Sequence, residues 1–268
     1  SASGRLAQWL RKRRSQKRRK PLKRSALKSP SAITRKGAWN RPQNKRRFYV
    51  FSQLRLTWFF IGFSLFSVFS FAGSYEDFFI ALQNDQVKVV SSLLSRGFDP
   101  NTVNLKAEPA LLNALNVGAL SSAELLIRHP RINVNVRNAH GETALMLACL
   151  KGHVSLAKLL ISRQADINHP GWTPLHYAAT GGHVELIQIL LEESAYIDAE
   201  SPNGTTPLMM AARYGSAKAT QLLIEEGADL QTKNQLGLSA LDFAKQGNRP
   251  DALEIISKAL DKLSSGKK

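Results

Sequence analysis

Two kinds of residue are scarce in this sequence: cysteine throughout, and acidic residues over the first quarter. Cys149 is the only cysteine among 268 residues, so no disulfide can form within the chain, which suits a cytosolic protein and equally an exported one. No acid precedes Glu76, whereas 19 of the 37 lysines and arginines lie between Arg5 and Arg55. The remaining 18 basic residues are outnumbered by 20 acids, so the net charge of +17 describes the N-terminal segment alone.

The sequence also lacks the motifs of catalytic and cofactor sites. It contains no Walker loop, no G-x-S-x-G and no G-x-G-x-x-G after a predicted strand. Its six histidines are not spaced with acids or with Cys149 as metal ligands are. An S-x-x-K sequence, Ser155 to Lys158, falls inside a predicted helix without its companion motifs. We therefore predict a protein that is not an enzyme and that holds no metal and no cofactor.

The basic segment, residues 1–47, is predicted to be disordered. It includes the run RKRRSQKRRK and offers little apolar surface, so charge repulsion outweighs any gain from burial. One interpretation is a nucleic-acid-binding arm. The others are a reading frame extended upstream of the true start, or a positive flank to the apolar segment that follows.

Residues 48–72 are predicted to be a signal peptide or a signal anchor. Leu56 to Ala72 carries no charge, follows Arg55 and ends in Ser70-Phe71-Ala72, which has small residues where signal peptidase reads them. Cleavage would separate Ala72 from Gly73. An uncleaved membrane anchor and a buried core helix are the alternatives. In the first two cases the positive flank stays cytoplasmic and the body of the chain lies outside the cytoplasm.

The body is a series of similar segments. GWTPLHYAATGGHVELIQILLEESAYIDAESPN starts at Gly171, GTTPLMMAARYGSAKATQLLIEEGADLQTKNQL at Gly204 and GLSALDFAKQGNRPDALEIISKAL at Gly237, with 33 residues between starts. A fourth copy begins at Gly141, and two weaker copies precede it. One small helix residue marks all six segments, at intervals of 33, 34, 30, 33 and 33 residues: Ala81, Ala114, Ala148, Ala178, Ala211 and Ala244.

These segments resemble ankyrin repeats, whose unit of about 33 residues contains T-P-L-H-x-A. The resemblance implies an all-α solenoid of about six helix-turn-helix units over residues 75–262, with short β-hairpin or loop fingers, followed by a disordered tail at 263–268. It also implies a monomer without catalysis that binds a protein partner. The T-P-L-H residues have a structural role in such repeats; here they are Thr173, Pro174, Leu175 and His176, then Thr206, Pro207 and Leu208.

The unit that begins at Gly141 is three residues short, which predicts a clipped loop between Ile167 and Gly171 and a notch in the row of fingers. An enzyme hidden in this notch is a remote alternative. Partners of ankyrin arrays bind the fingers and the exposed side of the first helices. Carried over to this sequence, the candidate partner-binding residues are His140, Glu142, Lys151, His169, Trp172, Thr180, Asn203, Thr205, Arg213 and Tyr214.

Two of these assignments have structural alternatives. Trp172 has Pro170 and Pro174 as neighbours and could pack on the clipped loop, while Arg213 and Tyr214 could simply cover a helix end. The units also resemble those of signal-bearing periplasmic ankyrin proteins from proteobacteria. We therefore interpret the chain as an exported protein that binds an unidentified protein and no nucleic acid through its repeats. Three alternatives are an inner-membrane-anchored scaffold facing the periplasm, a cytosolic nucleic-acid-associated protein that uses its basic tail, and a secreted effector.

Overall fold

The computed structural model describes residues 73–265, which contain twelve helices and no strand. The first helix occupies residues 73–83 and is called α1. The others are α2 (Val87–Ser95), α3 (Ala110–Val117), α4 (Leu120–Arg128), α5 (Ala144–Lys151), α6 (Val154–Ser162), α7 (Pro174–Gly181), α8 (Val184–Glu192), α9 (Pro207–Tyr214), α10 (Ala217–Glu225), α11 (Ala240–Gln246) and α12 (Pro250–Ser265). Consecutive helices pair into six units, which confirms the predicted all-helical solenoid.

The units stack in two layers. From α3 onward each odd-numbered helix packs on the next odd-numbered helix, and from α2 onward each even-numbered helix packs on the next even-numbered one. The six marker alanines of the sequence pattern all lie in odd-numbered helices, and all six are buried. Because a methyl side chain occupies little space, neighbouring helices can approach closely there. A single apolar core therefore runs through all six units, as expected for an array whose units cannot bury both faces alone.

Each of the last four units begins with a polar cap that closes on itself. Thr143, Thr173, Thr206 and Ser239 are the N-caps of α5, α7, α9 and α11. The backbone N–H of each cap donates to the side chain three residues later, and these acceptors are Met146, His176, Met209 and Asp242. In these four units the fourth position of T-P-L-H thus serves as an acceptor, whether it is methionine, histidine or aspartate.

The fingers, predicted as short β-hairpins or loops, are loops in the described residues, where β pairing is limited to the isolated bridges Val103–Pro109 and Arg137–Thr143. One backbone hydrogen bond crosses each finger, as from the Asn138 N–H to the Glu142 carbonyl at 3.1 Å, and side chains bond further N–H groups. In the loop residues 104–108, 138–142 and 234–238, the first asparagine accepts the N–H groups two and four residues later, and in 201–205 Ser201 accepts the N–H of Thr205. These four loops are called fingers below.

The unit of α7 and α8 has no finger of this kind. Asn135 is separated from the cap Thr143 by seven residues, but the equivalent Asn168 is separated from Thr173 by only four. Asn168 keeps the role of Asn135, since its amide oxygen accepts the N–H of Tyr196 and its amide nitrogen donates to the carbonyl of Ser194. The three missing residues therefore come from the finger, and the bonds that join successive units are retained.

The C-terminal helix extends beyond the predicted end of the repeat domain at residue 262. Helix α12 continues to Ser265, so the predicted disordered tail is helical over residues 263–265. The hydroxyl groups of Ser264 and Ser265 donate to the carbonyls of Asp261 and Lys262, which gives the last turn its hydrogen bonds. Residues 266–268 lie outside the described range.

The predictions for the N-terminal segment also lie outside the described residues. They are the disordered extension at 1–47 and the signal peptide or anchor at 48–72 with its cleavage after Ala72; Gly73 is the first residue of the described range. Within residues 73–265, no helix is both long enough and apolar enough to cross a bilayer.

Candidate protein-binding surface

The candidate site is the inner surface, defined here as the fingers together with the exposed side of the odd-numbered helices. Its N-terminal half is organised by polar contacts, and it also exposes the apolar side chains of Val103, Leu105 and Val117. The carboxylate of Glu108 accepts hydrogen bonds from the amide groups of Asn104, Asn113 and Asn116, at 3.3, 2.9 and 2.6 Å. Since all these partners belong to the chain itself, the acid holds the first finger on α3. Asn113 is buried, and its amide oxygen has no partner among the described residues.

The next unit repeats this arrangement around Glu142. One carboxylate oxygen accepts from the Asn138 amide at 2.7 Å, and the other accepts from the Tyr177 hydroxyl at 3.1 Å. Burial and the Glu142 charge raise the pKa of the Tyr177 phenol, so this hydroxyl remains a donor. Glu142 was predicted to contact a partner, but both its oxygens are engaged within the chain.

The C-terminal half of the inner surface is apolar and contains a depression of about 320 Å³. It spans three units, from Trp172, the residue before the cap of α7, to Gln246 at the end of α11. Its apolar lining consists of Trp172, Met210, Tyr214, Leu236, Leu238 and Phe243, and its polar lining consists of Asn203, Thr205, Arg213, Asn234 and Gln246. Five of the ten candidate residues therefore lie around one depression: Trp172, Asn203, Thr205, Arg213 and Tyr214.

The side chains at the mouth of the depression are large and accessible. Tyr214 is 53% exposed and Leu236, at the tip of the last finger, is 77% exposed. The guanidinium of Arg213 lies 5.0 Å from the centre of the Tyr214 ring and 6.0 Å from that of Phe243, within the range of cation–π contacts. Its Nη1 donates to Gln246 at 3.0 Å. These contacts hold the cation beside an apolar wall.

A buried histidine supports this half of the surface from below. The Trp172 ring meets the His176 ring edge to face, with 5.2 Å between their centres. Nδ1 of His176 accepts the backbone N–H of Thr173 at 3.2 Å, so Nε2 carries the proton and donates to the Thr205 carbonyl at 2.9 Å. The histidine thus joins the cap of one unit to the finger of the next.

This network requires the neutral imidazole. His176 is fully buried, and burial lowers its pKa to about 4 in spite of the hydrogen bonds that favour the proton. Protonation would turn Nδ1 from an acceptor into a donor facing the Thr173 N–H. The histidine is therefore a structural link between units at neutral pH, in agreement with what the resemblance implied.

The orientation of Thr205 differs from the prediction, which placed it facing a partner. It is 2% exposed, its N–H donates to the Ser201 hydroxyl and its carbonyl accepts from His176. Its place directly before the buried cap Thr206 turns it inward. Thr205 therefore supports the finger beneath the depression, whereas Asn203, two residues earlier, is exposed at the finger's tip.

The remaining candidates lie apart from the depression. His140 is exposed on the 138–142 finger, and Lys151 is exposed at the end of α5, where its Nζ donates to the Asn116 carbonyl. The Thr180 hydroxyl donates to the His176 carbonyl at 2.7 Å, which occupies it within its own helix. His169 is half-buried in the clipped loop, with Nδ1 2.8 Å from the Pro170 carbonyl. These four residues do not form a common site.

Six residues that line the depression were not among the ten candidates: Met210, Asn234, Leu236, Leu238, Phe243 and Gln246. Leu236 had a detectable signal, since it is an apolar residue at a finger tip, where the other fingers have Lys106, His140 and Asn203. Met210 and Phe243 had none, because apolar residues in an amphipathic helix are expected in the core.

Residues with chemical reactivity do not cluster in the described part of the chain. It contains no group of three histidine, cysteine or acidic side chains that could hold a metal ion. Cys149 is buried in α5, and burial raises the pKa of its thiol to about 12. A protonated, enclosed thiol is a packing residue here.

Helix pairs stacked through buried alanines, with loops along one edge, define a helical-repeat scaffold. A family model for three copies of the ankyrin repeat matches residues 78–170, 111–201, 167–234 and 195–263. These matches cover more than half of the chain, so the protein belongs to the ankyrin-repeat family. Members of this family are scaffolds for protein–protein interaction and are generally not catalytic.

Curated relatives match only part of the repeat region. Alpha-latrocrustotoxin-Lt1a of Latrodectus tredecimguttatus is 31% identical over 91 residues, which are 34% of this chain and 6% of that protein. Ankyrin repeat domain-containing protein 29 of Danio rerio is 37% identical over 70 residues, or 25% and 24% of the two chains. NF-kappa-B inhibitor alpha of Homo sapiens is 29% identical over 94 residues, or 33% and 30%. The matched stretches thus span less than a third of each relative.

Two solved structures share the fold over 68% of this chain. The human ASB11 ankyrin repeat domain superposes with a TM-score of 0.61 and 25% identity, covering 82% of that domain. One chain of the complex between the predatory endopeptidase Bd0816 of Bdellovibrio bacteriovorus and the immunity protein Bd3460 superposes with a TM-score of 0.59 and 28% identity, covering 97% of that chain.

Proposed function

We propose that this chain is an exported, periplasmic ankyrin-repeat protein of a proteobacterium that binds another protein through the C-terminal half of its inner surface, without catalysis. The observation that carries the binding proposal is the depression that brings Trp172, Arg213 and Tyr214 together with Leu236. Tryptophan, tyrosine and arginine are the residues that contribute most to protein interfaces. A surface already held by internal hydrogen bonds also loses little conformational entropy on binding.

The proposed binding surface is tested by a pull-down from a periplasmic extract. A double variant, Trp172→Ala with Tyr214→Ala, removes two large contact surfaces and should reduce recovery of the bound protein about tenfold or more, because such residues each contribute about 2 kcal/mol at interfaces. Tyr196→Ala is a matched control, since Tyr196 is exposed on the loop that follows α8, away from the depression. Equal recovery by the wild type and the double variant would show that the partner binds elsewhere.

The proposed export rests on the sequence pattern of residues 48–72, which combines a basic flank, an uncharged run and small residues before Gly73. The proteobacterial assignment rests on the resemblance of the units that begin at Gly171 and Gly204 to those of signal-bearing periplasmic ankyrin proteins. An uncleaved anchor that holds the repeats in the periplasm is the alternative favoured by the uncharged run from Leu56 to Ala72.

Export and anchoring predict different products in a Gram-negative host. A reporter fused after Lys268 should be active only in the periplasm for either proposal, and a cytosolic reporter signal would exclude both. The mass of the recovered chain then separates the two, since cleavage should leave a new N-terminus at Gly73, whereas an anchor keeps the upstream residues in the membrane fraction.

A further inference from the structure

We infer that the depression binds an extended acidic segment of the partner protein, with an apolar side chain of that segment between Trp172 and Leu236 and a carboxylate on Arg213. This inference rests on the proposed binding function and specifies the chemistry of the partner. Three observations carry it: the lone cation inside the depression, the distribution of charge around it, and the exposed apolar side chains at its mouth.

Arg213 is the only charged side chain that lines the depression. One of its five N–H groups donates to Gln246, and its remaining donors have no hydrogen-bond partner within residues 73–265. The aromatic rings of Tyr214 and Phe243 lie beside the guanidinium. A planar cation beside apolar groups, with free parallel donors, suits a carboxylate that accepts two hydrogen bonds at once.

Two lysines directly precede residues that line the depression, Asn234 and Gln246. Lys233 and Lys245 are exposed on the last unit. The Ser239 N–H and hydroxyl lower the pKa of the Asp242 carboxyl, and Lys245 and Lys233 lower it further, which places both lysines near this acid. The Asp242 carboxylate already accepts two hydrogen bonds from Ser239 at 2.9 and 2.7 Å, so it is committed to its helix cap.

Four exposed acids of the same units lie in the even-numbered layer, at the ends of α8 and α10: Glu192, Glu193, Glu225 and Glu226. Glu200 is also exposed, directly before the 201–205 finger. An acidic segment is attracted to the depression by Arg213, Lys233 and Lys245.

The apolar side chains at the mouth supply the anchor site. Leu236 projects from the last finger, Tyr214 from the end of α9, and the half-buried Met210 lies between them and the core. Phe243 is buried on the floor. A volume of about 320 Å³ takes one large apolar side chain together with part of the backbone that carries it. Single-stranded nucleic acid fits less well, because one arginine in an apolar hollow offers few phosphate contacts.

The test selects peptides from a displayed random library on the full-length protein, then measures the affinity of each selected peptide. We expect the selected peptides to share a Leu, Phe, Tyr or Trp beside an Asp or Glu. Changing that acid to its amide in the peptide, or making Arg213→Gln in the protein, should each weaken binding about tenfold, and the two changes together should weaken it no further, since they remove the same contact.

Arg137→Gln is the matched control, because Arg137 is exposed at the start of the 138–142 finger and its loss changes the net charge equally without touching the depression. Affinities of this variant within twofold of the wild type are expected. Thermal unfolding of Arg213→Gln checks that the variant is folded.

The outcomes separate this inference from the proposed function. Peptides without an acid, or with equal affinity for wild type and Arg213→Gln, would overturn the acidic-segment inference. If the double variant Trp172→Ala with Tyr214→Ala still weakened the binding of such peptides, the proposed binding surface would be supported. Peptides insensitive to every variant, or no enriched peptide at all, would count against both. If the protein bound a single-stranded oligonucleotide and Arg213→Gln weakened that binding, the ligand of the depression would be a nucleic acid and not a peptide.

Discussion

His176→Met is expected to destabilise the protein at pH 7.5 and to stabilise it, relative to wild type, at pH 4.5. Met146 and Met209 occupy the same position in other units, and the sulfur of each accepts the cap N–H. Methionine can therefore replace Nδ1 of His176, but it cannot donate to the Thr205 carbonyl. That carbonyl also accepts the Ser201 N–H, so the loss at neutral pH should be limited to about 1 kcal/mol.

The reversal follows from the lowered pKa of His176. In the unfolded chain a histidine has a pKa of about 6.5, and in the folded protein burial lowers it to about 4. Below pH 6.5 the unfolded state binds a proton that the folded state rejects, so the wild type loses about 2–3 kcal/mol of stability between pH 6.5 and 4.5. The contribution is complete above pH 6.5 and is lost as the pH falls toward 4. Because methionine does not titrate, the variant does not lose this stability as the pH falls.

The measurement is urea unfolding, followed by circular dichroism at pH 7.5 and 4.5, for wild type and variant. Other titrating groups are common to both proteins, so they cancel in the difference between the two stabilities. His140→Gln removes an exposed histidine from a finger and should follow the wild-type pH dependence. Parallel stability curves for wild type and His176→Met would show that His176 keeps an ordinary pKa in the folded state.

Much of the fold could be predicted from sequence because the same residue pattern recurs in each of the six units. The alanine spacing locates all six odd-numbered helices, since a small residue is required wherever two such helices touch. The three-residue deletion after Ile167 likewise predicts a clipped finger, because the caps and helices on both sides keep their spacing. The sequence left open whether the fingers are hairpins or loops; they are loops, in which the Asn104, Asn138 and Asn234 side chains bond backbone N–H groups that a longer strand pair would bond.

The candidate site was less predictable, because the choice between an inward and an outward side chain is made by its neighbours. Glu142 and Thr205 occupy the position before the cap in two units, yet the first is held by Asn138 and Tyr177 and the second faces the core. Trp172, at the equivalent position, opens onto the depression. No pattern within a single unit distinguishes these cases, since part of each contact comes from another unit: Tyr177 of the next unit for Glu142 and His176 of the preceding unit for Thr205.

Gly215→Ala is expected to destabilise the protein by about 3 kcal/mol, because it forces apart two helices that touch through backbone atoms. Gly215 has φ −77°, so a left-handed backbone is not what requires glycine there. The obstacle is packing. A methyl group at this position would overlap the carbonyl oxygen of Ala179 in the preceding unit and stand 2.9 Å from the Cα of Ala211. Neither backbone atom can move without displacing its helix.

Gly227→Ala is the opposite case, because Gly227 is required for its backbone conformation and not for close packing. Gly227 has φ +92°, which alanine adopts only with strain, but a methyl group there would meet no atom within 4 Å. Its cost should be about 1 kcal/mol, from backbone strain alone. Urea unfolding should therefore place Gly215→Ala well below Gly227→Ala in stability. The reverse order would mean that the stacked units relax easily, and that close packing of neighbouring helices is not what makes the array rigid.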